Sequence, residues 1–478
     1  MRITRVLAAC FIAAQVLGMS LPKFDFRLLN QEITTKEYLK LDTEAQVSDE
    51  DIRIEFADSF YVNEHGTVYL LDSYARKIHI SSKVCDTFID LSMCGLPCDF
   101  ILHRGNLYVY DEMKNEIYIR DYNLNEEIVI PLNHLKDIYF KRFVIELDKV
   151  FFDTYNDTRY IVNPDTLTVE EYCNYEDNIQ PVEELELAEF FCEDCDGNKY
   201  SIQTDILYEG ALTGSIVIVK EDTYGNYSYY VFPDEVKDVP VRFLQVTGNN
   251  VYVMLTYEDR VAIEKIEFSD ELVLPKYKYN GAYDKGSKFG TVEVSSEEAL
   301  MRAEEMNTYS WTLTSDNTKI STNTSLPREV EFLSTSEVSE VVGIPYCWGG
   351  SSSIYKDFDN QIKKGYLAGN FTTSGSYKAK TAGLDCSGYV SIAYDLSSKQ
   401  GTYGLVDYAK RVKDLGDLKP ADMLIAPGNH VVLFTEQIDD GAFLVCECCG
   451  RNGKTVKRIR TLNWFVTVGQ YQAMTPWK

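Results

Sequence analysis

Between about Phe56 and Phe268, short apolar runs and polar turns repeat as a unit. Gly66-Thr67-Val68-Tyr69-Leu70-Leu71-Asp72 precedes Lys77-Ile78-His79-Ile80, and Gly105-Asn106-Leu107-Tyr108-Val109-Tyr110-Asp111 precedes Glu116-Ile117-Tyr118-Ile119. Further on, Asp148-Lys149-Val150-Phe151-Phe152-Asp153 precedes Arg159-Tyr160-Ile161-Val162, and Gly248-Asn249-Asn250-Val251-Tyr252-Val253 precedes Val261-Ala262-Ile263-Glu264-Lys265-Ile266. Each unit is a turn, a short aromatic strand, a polar turn and a second strand. The units start roughly 40 to 50 residues apart, the period of propeller blades. Tyrosines suit such strands because the ring packs while the hydroxyl stays wet. The pattern predicts a propeller-like all-β domain over 21–290, with about five or six blades. Tandem SH3-like barrels are the alternative, but the units are long for small barrels.

The pattern changes after residue 290. Ser296 to Trp311 is rich in helix formers (Glu297, Glu298, Ala299, Leu300, Met301, Arg302, Ala303) and reads as a connecting helix. Thr312 to Ser325, rich in Ser, Thr and Asn, reads as a linker, so 291–330 is helix and linker. Leu326-Pro327 leads into a C-terminal unit, 331–478. There Glu329 to Val342 has helical spacing, a helix follows Cys386, and strands follow His430 and Phe443, an α+β pattern. Phe358, Ile362 and Tyr366 are also at helical spacing, ahead of a Gly/Ser/Thr-rich loop to Gly383. The segment 351–382 either walls a cleft or is a plain surface insertion.

At 478 residues the chain is too long for one ordinary core. Its formal charge of -27 argues against nucleic acid and anionic membranes as partners. The charge is uneven: Thr335 to Lys478 carries roughly +2, leaving roughly -29 for the rest. That asymmetry suits two folding units with different jobs, or an acidic surface kept for solubility.

Met1-Arg2-Ile3-Thr4-Arg5 is basic, and Val6 to Met19 is an apolar stretch too short to span a bilayer comfortably. With Gly18 and Ser20 as small residues for cleavage, 1–20 reads as a secretory signal peptide. Leu7-Ala8-Ala9-Cys10 is the weaker option of a lipid-anchored cysteine. No later run has membrane-spanning length, so the expectation is a secreted protein without a stable membrane anchor. Twelve cysteines are too few for a disulfide scaffold. Cys192-Glu193-Asp194-Cys195 has metal-knuckle spacing but no second pair and no nearby His, so no metal site is assigned. Cys446, Cys448 and Cys449 crowd one strand and turn; free thiols are one option, and the pattern leaves their pairing open.

The chemistry gathers late in the chain. Gly383-Leu384-Asp385-Cys386-Ser387-Gly388-Tyr389-Val390 puts an N-cap Asp and then a thiol at the start of a helix, which lowers a thiol pKa. Gly428-Asn429-His430-Val431-Val432-Leu433-Phe434 reads as a turn feeding a buried strand with an imidazole at its start. Each residue alone is more often core than catalyst. Of five histidines, His430 alone lies in this unit, so it is the one local base for Cys386.

Three motifs, in order, resemble the NlpC-type cell-wall cysteine peptidases, a papain-like family that cuts peptidoglycan stem peptides. They are Gly343-Ile344-Pro345-Tyr346-Cys347-Trp348-Gly349-Gly350, the Leu384 to Val390 segment, and Leu418-Lys419-Pro420-Ala421-Asp422-Met423-Leu424 leading to His430. The resemblance covers roughly the last 145 residues. It implies a papain-like α+β fold, Cys386 as nucleophile and His430 as base and then acid. It implies Tyr346 and Trp348 beside the cleft, and Asp385 and Ser387 contacting the amino end of the substrate. The family mostly has a His on the following strand. Here that strand, Ala442-Phe443-Leu444-Val445-Cys446-Glu447-Cys448, has none. Glu447 is the choice for the third catalytic residue, since a carboxylate accepts the imidazole N–H, with Cys446 or Cys448 as alternatives. Ala421 stands where the family usually has Gly.

The resemblance implies a secreted, cell-wall cysteine endopeptidase needing no cofactor. Its substrate would be the stem peptide, cut at the bond between D-glutamate and the diamino acid. The propeller would serve as a targeting or interaction module for a protein or cell-wall ligand. The alternatives are a non-catalytic cell-surface binding protein, or an amidase or acyltransferase using the same Cys-His cleft.

Overall fold

The computed structural model describes residues 31–34, 57–274 and 290–477, apart from 64, 74–75, 82–85, 122–126, 136–137, 175–186, 207–213, 234–235, 237–238, 241, 258–259, 319–338, 370–379, 440, 451–452 and 469–470. The expected signal peptide lies outside the described residues.

Among the described residues, the N-terminal part forms five four-stranded antiparallel sheets. Blade 1 runs from Ala57–Val62 to Asp86–Asp90, blade 2 from Pro97–His103 to Glu127–Pro131, and blade 3 from Phe140–Glu146 to Thr168–Asn174. Blade 4 runs from Leu187–Glu193 to Tyr227–Val231. Blade 5 has Leu244–Thr247, Asn250–Thr256 and Arg260–Lys265, and takes its outer strand, Gln31–Thr34, from the start of the chain. That strand pairs antiparallel with the third, Ile33 opposite Val261. A sheet completed by strands from both ends closes the ring and removes an open edge.

Hydrophobic clusters sit between the blades. Phe60, Val62 and Leu70 of blade 1 pack with Met254, Val261 and Ile263 of blade 5, and Tyr108 and Ile119 of blade 2 pack with Phe143 and Phe152 of blade 3. One buried carboxylate ties the centre. Asp99 of blade 2 accepts from Ser59 Oγ of blade 1 at 2.5 Å, from the Phe143 amide of blade 3 at 2.8 Å, and from Arg242 beside blade 5 at 3.0 Å. The fold is propeller-like, as the repeat pattern predicts, and blade 4 is the unit the pattern did not mark.

The C-terminal part is built on a six-stranded sheet. Its strands are β1 (Lys410–Arg411), β2 (Met423–Ala426), β3 (His430–Asp439), β4 (Ala442–Cys449), β5 (Lys454–Thr461) and β6 (Gln472–Thr475), in the order β1-β6-β2-β3-β4-β5, all antiparallel. The described helices are α1 (Ser296–Thr308), α2 (Phe358–Lys363), α3 (Cys386–Ala393), α4 (Thr402–Leu405) and α5 (Leu462–Val468). The sheet sorts its side chains by the strand period of two. Val431, Leu433, Cys446 and Cys448 share a core with α3, while Val432, Phe434, Phe443 and Val445 pack with Trp464 and Phe465 of α5.

Four expectations are corrected here. The helix expected at Ser296 to Trp311 ends at Thr308, and Trp311 lies in a strand, Ser310–Leu313. That strand pairs with Ser339–Val342, the end of the stretch read as helical, with Trp311 opposite Val341. An aromatic facing a β-branched residue across two strands outweighs the weak helical spacing. The helix is also no mere connector. Ser295 caps it by accepting from the Glu298 amide at 3.1 Å, and Ala299, Ala303 and Met306 join the core of α3. Tyr389 OH donates to the Ala303 carbonyl at 3.0 Å. Tyr366, placed on a helix with Phe358, lies beyond the end of α2.

The two parts touch through α5 and β5. Thr204 Oγ1 donates to Asn463 Oδ1 at 2.6 Å, and Arg458 Nη2 lies 3.5 Å from Glu112 Oε2. A cavity of about 260 Å³ lies between them, lined among others by Asp99, Tyr110, Arg458, Arg460 and Trp464.

Candidate active site

The thiol is placed by a cap. Asp385 has extended backbone (φ -95, ψ 178), and its Oδ1 accepts from the Gly388 amide at 2.6 Å, so α3 starts at Cys386. The first amides of a helix favour negative charge, which suits a thiolate there. The rest of the Asp385 carboxylate is also engaged. Oδ1 accepts from Ser387 Oγ at 3.0 Å, and Oδ2 accepts from the Gly349 amide at 2.9 Å and pairs with Lys399. Asp385 and Ser387, expected to reach substrate, are buried and committed to holding this turn.

The first motif is docked on the second. The Cys347 amide donates to the Leu384 carbonyl at 2.7 Å, and the Leu384 amide donates to the Pro345 carbonyl at 3.0 Å. Tyr346 thus runs beside Leu384, two residues before the thiol. Its side chain is buried, as is Cys386, and Trp348 is half-buried. Gly383 has φ +141, and a Cβ there would stand 2.2 Å from the Pro345 carbonyl oxygen, so only glycine fits.

The imidazole is placed by a turn. Gly428 donates its amide to Thr402 Oγ1 at 2.8 Å, Asn429 donates to the Ala426 carbonyl at 2.9 Å, and β3 begins at His430. Nε2 of His430 lies 2.7 Å from Oε2 of Glu447, which is fully buried in β4. Oε1 of Glu447 accepts from Arg460 Nε at 3.0 Å, with Arg460 Nη2 at 2.9 Å and Arg458 Nε at 3.9 Å. Burial by itself would raise the Glu447 carboxyl. Arg460, the hydrogen bond and charge of His430, and Arg458 outweigh it and bring it down to about 2. A carboxylate at Nε2 makes that nitrogen the proton carrier and leaves Nδ1 as the acceptor.

The structure joins His430 to Glu447. It joins the start of α3 to Cys448, whose Sγ donates to the Leu384 carbonyl at 3.1 Å. Burial pushes the Cys448 thiol up, and Cys449, Asp385, Cys386 and Glu447 add to it. Cys386 and Glu447 therefore both act on Cys448, from opposite faces of β4. The strand pleat gives His430 and Glu447 to the α5 face, where Arg460 stacks over Trp464 at 3.9 Å. Cys386 and Cys448 pack on the α3 face.

The other thiols have other settings. Burial raises Cys446, and raises Cys347 and Cys192 to about 12. Cys446 is buried and lies 3.6 Å from Thr435 Oγ1, so neither it nor Cys448 contacts the imidazole as Glu447 does. Cys192 packs against the blade 4 and 5 core while Cys195 is exposed, with Sγ 3.2 Å from Asn249 Oδ1. The Asp194 between them caps the turn amides of Asp196 and Asn198, at 2.9 and 3.0 Å. Among the described residues no cluster of His, Cys, Asp or Glu has metal-site geometry, and no helix is long and apolar enough to cross a membrane.

Sequence reasoning missed Arg458 and Arg460. Their signal was the run Lys457-Arg458-Ile459-Arg460 in a strand, two cations on one face beside an acidic residue of the neighbouring strand.

The chain matches no family model, and no curated protein matches it. Among solved structures it is similar to a streptogramin B lyase, at 15% identity over 47% of this chain and 88% of that one, with a TM-score of 0.27. A virginiamycin B lyase from Staphylococcus aureus is 11% identical over 44% of this chain and 80% of that one, with a TM-score of 0.27. A luciferin-regenerating enzyme is 11% identical over 45% and 92%, with a TM-score of 0.28. Likeness at these scores carries nothing about activity or ligand.

Proposed function

We propose that the chain is a secreted thiol hydrolase that cuts amide bonds in peptidoglycan stem peptides. Cys386, His430 and Glu447 form its catalytic set, on a papain-like C-terminal domain. The contact that carries this reading is the 2.7 Å approach of His430 Nε2 to the buried Glu447. An imidazole oriented by a carboxylate is what a general base needs.

In the reaction, His430 Nδ1 takes the proton from Cys386 Sγ. The thiolate attacks the amide carbon, and the oxyanion is met by the Cys386 amide at the start of α3, with the Tyr346 hydroxyl as a second donor. The C–N bond then breaks as Nδ1–H protonates the leaving amine, leaving a thioester. Water attacks the thioester, giving its proton to Nδ1, and the acid product leaves as the thiol re-forms. Trp348, half-buried beside Tyr346, would flank the bound peptide. By the resemblance, the bond is that between D-glutamate and the diamino acid, and the propeller recruits a protein or cell-wall ligand.

One observation favours a second reading. Cys386 is fully buried on the α3 face while His430 turns to the other. In that reading the C-terminal domain is a non-catalytic scaffold and the propeller carries binding. Digestion of purified peptidoglycan by the full chain, with fragments identified by mass spectrometry, separates the two. Free amino ends on the diamino acid support the peptidase. Release of whole stem peptides points to an amidase, and intact peptidoglycan favours the scaffold.

A further inference from the structure

Arg460 stands behind Glu447 on β5. Its Nε and Nη2 both approach Oε1, at 3.0 and 2.9 Å, while the other oxygen, Oε2, meets His430. The guanidinium is itself buried and fixed by stacking over Trp464 at 3.9 Å. Arg458 adds a second cation 3.9 Å from Oε1 and is shared with Glu112 of blade 2. The titratable and charged groups facing Glu447 are therefore His430 from β3 and Arg458 and Arg460 from β5. Glu112 faces Arg458 from the propeller. Asp385, Cys386 and Cys448 lie on the α3 side.

We propose that Arg460 is a positioning residue that holds Oε1 of Glu447 and so presents Oε2 to His430 as an ionised acceptor. The proposal rests on the reading of Cys386, His430 and Glu447 as the catalytic set. Its physical basis is the cost of a buried carboxylate. Without a cation, Glu447 would take up a proton, and a protonated Glu447 stops being a pure acceptor for the Nε2–H. The tautomer that leaves Nδ1 open for the thiol proton would then be lost. A planar guanidinium fixes the rotamer as well as the charge, which a lysine point charge does not.

The test uses the full chain and five variants: Arg460→Met, Arg460→Lys, Glu447→Gln, the double Arg460→Met/Glu447→Gln and His430→Ala. Two readouts are taken across pH: peptidoglycan fragment release, and the rate of Cys386 alkylation by iodoacetamide from peptide mass spectrometry. Arg460→Met should slow both roughly 100-fold, as displaced catalytic groups do, and move the acid limb of the profile upward. Arg460→Lys should keep the acid limb in place and recover part of the rate. In the Glu447→Gln background, removing Arg460 should cost nothing further, because Arg460 acts through Glu447.

Losses that multiply in the double variant would overturn the proposal, as would an Arg460→Met acid limb at the wild-type position. Arg460→Met leaves a buried carboxylate without its main cation and is the variant most at risk of misfolding. Arg460→Lys keeps the charge and the double variant removes both, so the comparison survives. If wild type releases no fragments, the hydrolase reading fails, yet the alkylation profiles still decide the role of Arg460. If His430→Ala alkylates with the wild-type profile, thiol and imidazole are uncoupled and both proposals fall.

Discussion

Gly388 and Gly350 meet with no side chain between them: a Cβ on Gly388 would stand 2.3 Å from the Gly350 carbonyl oxygen. The Cys347 to Gly350 turn is thereby pressed against the first turn of α3, where the Gly350 amide donates to the Cys347 carbonyl at 2.7 Å. That approach explains Gly388, while Gly350 is held to glycine by the Gly383 and Cys347 carbonyl oxygens, which a Cβ there would meet at 2.5 and 2.7 Å.

Gly388→Ala should therefore be destabilising although alanine favours helices. The contact is with backbone, so the turn must shift. A loss of about 1 to 3 kcal/mol is expected, as for other overpacked cores. Thermal unfolding of the full chain measures it, and an unchanged Tm would mean that the turn and the helix separate in solution.

Glu447→Gln should slow turnover by roughly 100-fold without abolishing it, because an amide of the same shape accepts a weaker bond from the imidazole and loses its charge. KM should stay near the wild-type value. Equal activity in the variant would remove Glu447 from the catalytic set.

Cys386 should be alkylated ahead of Cys195 at about pH 6, even though Cys195 is exposed and Cys386 buried. Only a thiolate at the helix start, paired with His430, reverses the order that access alone would give. Peptide mapping after brief iodoacetamide treatment reads the order. Cys386→Ala should abolish turnover and leave the unfolding curve nearly unchanged; labelling of Cys195 first would support the scaffold reading.

Acid should unfold the C-terminal domain in a window set by Glu447. Its carboxyl sits at about 2 in the folded chain, below the usual value of 4.5. The contribution is complete above about 4.5 and is lost as pH falls towards 2, and it is on the order of 3 kcal/mol. Denaturant titrations at pH 5 and pH 3 should show a larger drop for wild type than for Glu447→Gln. Parallel losses in the two would assign the acid sensitivity elsewhere.

Much of the fold was legible because strand pairs announce themselves by turns and period-two patterning. Blade 4 was not, since its strands are joined by turns of another kind. Asp194 and Asp222 each cap a turn that ends in Gly-Asn, with Asp222 Oδ1 accepting from the Tyr224 and Asn226 amides at 2.8 and 2.9 Å. The repeated Asp-x-x-Gly-Asn was available as a signal. Ala421 shows a different kind of legibility. Its φ of +68 is the left-handed conformation that glycine takes without strain, so the departure noted from the motif sits at a backbone position with a real cost.

The sequence by itself determined the local chemistry. An Asp before a Cys caps a helix and puts a thiol at its first position, and a Gly-Asn turn starts a strand on an imidazole, because both are settled within a few bonds. Only the tertiary structure decided what surrounds them. Strand register set Glu447 against His430 and aimed Arg458 and Arg460 at the same carboxylate, and strand pleating put Cys386 and His430 on residues of opposite faces. Register and facing depend on pairing between distant segments, and a shift of one residue would reverse every one of these contacts.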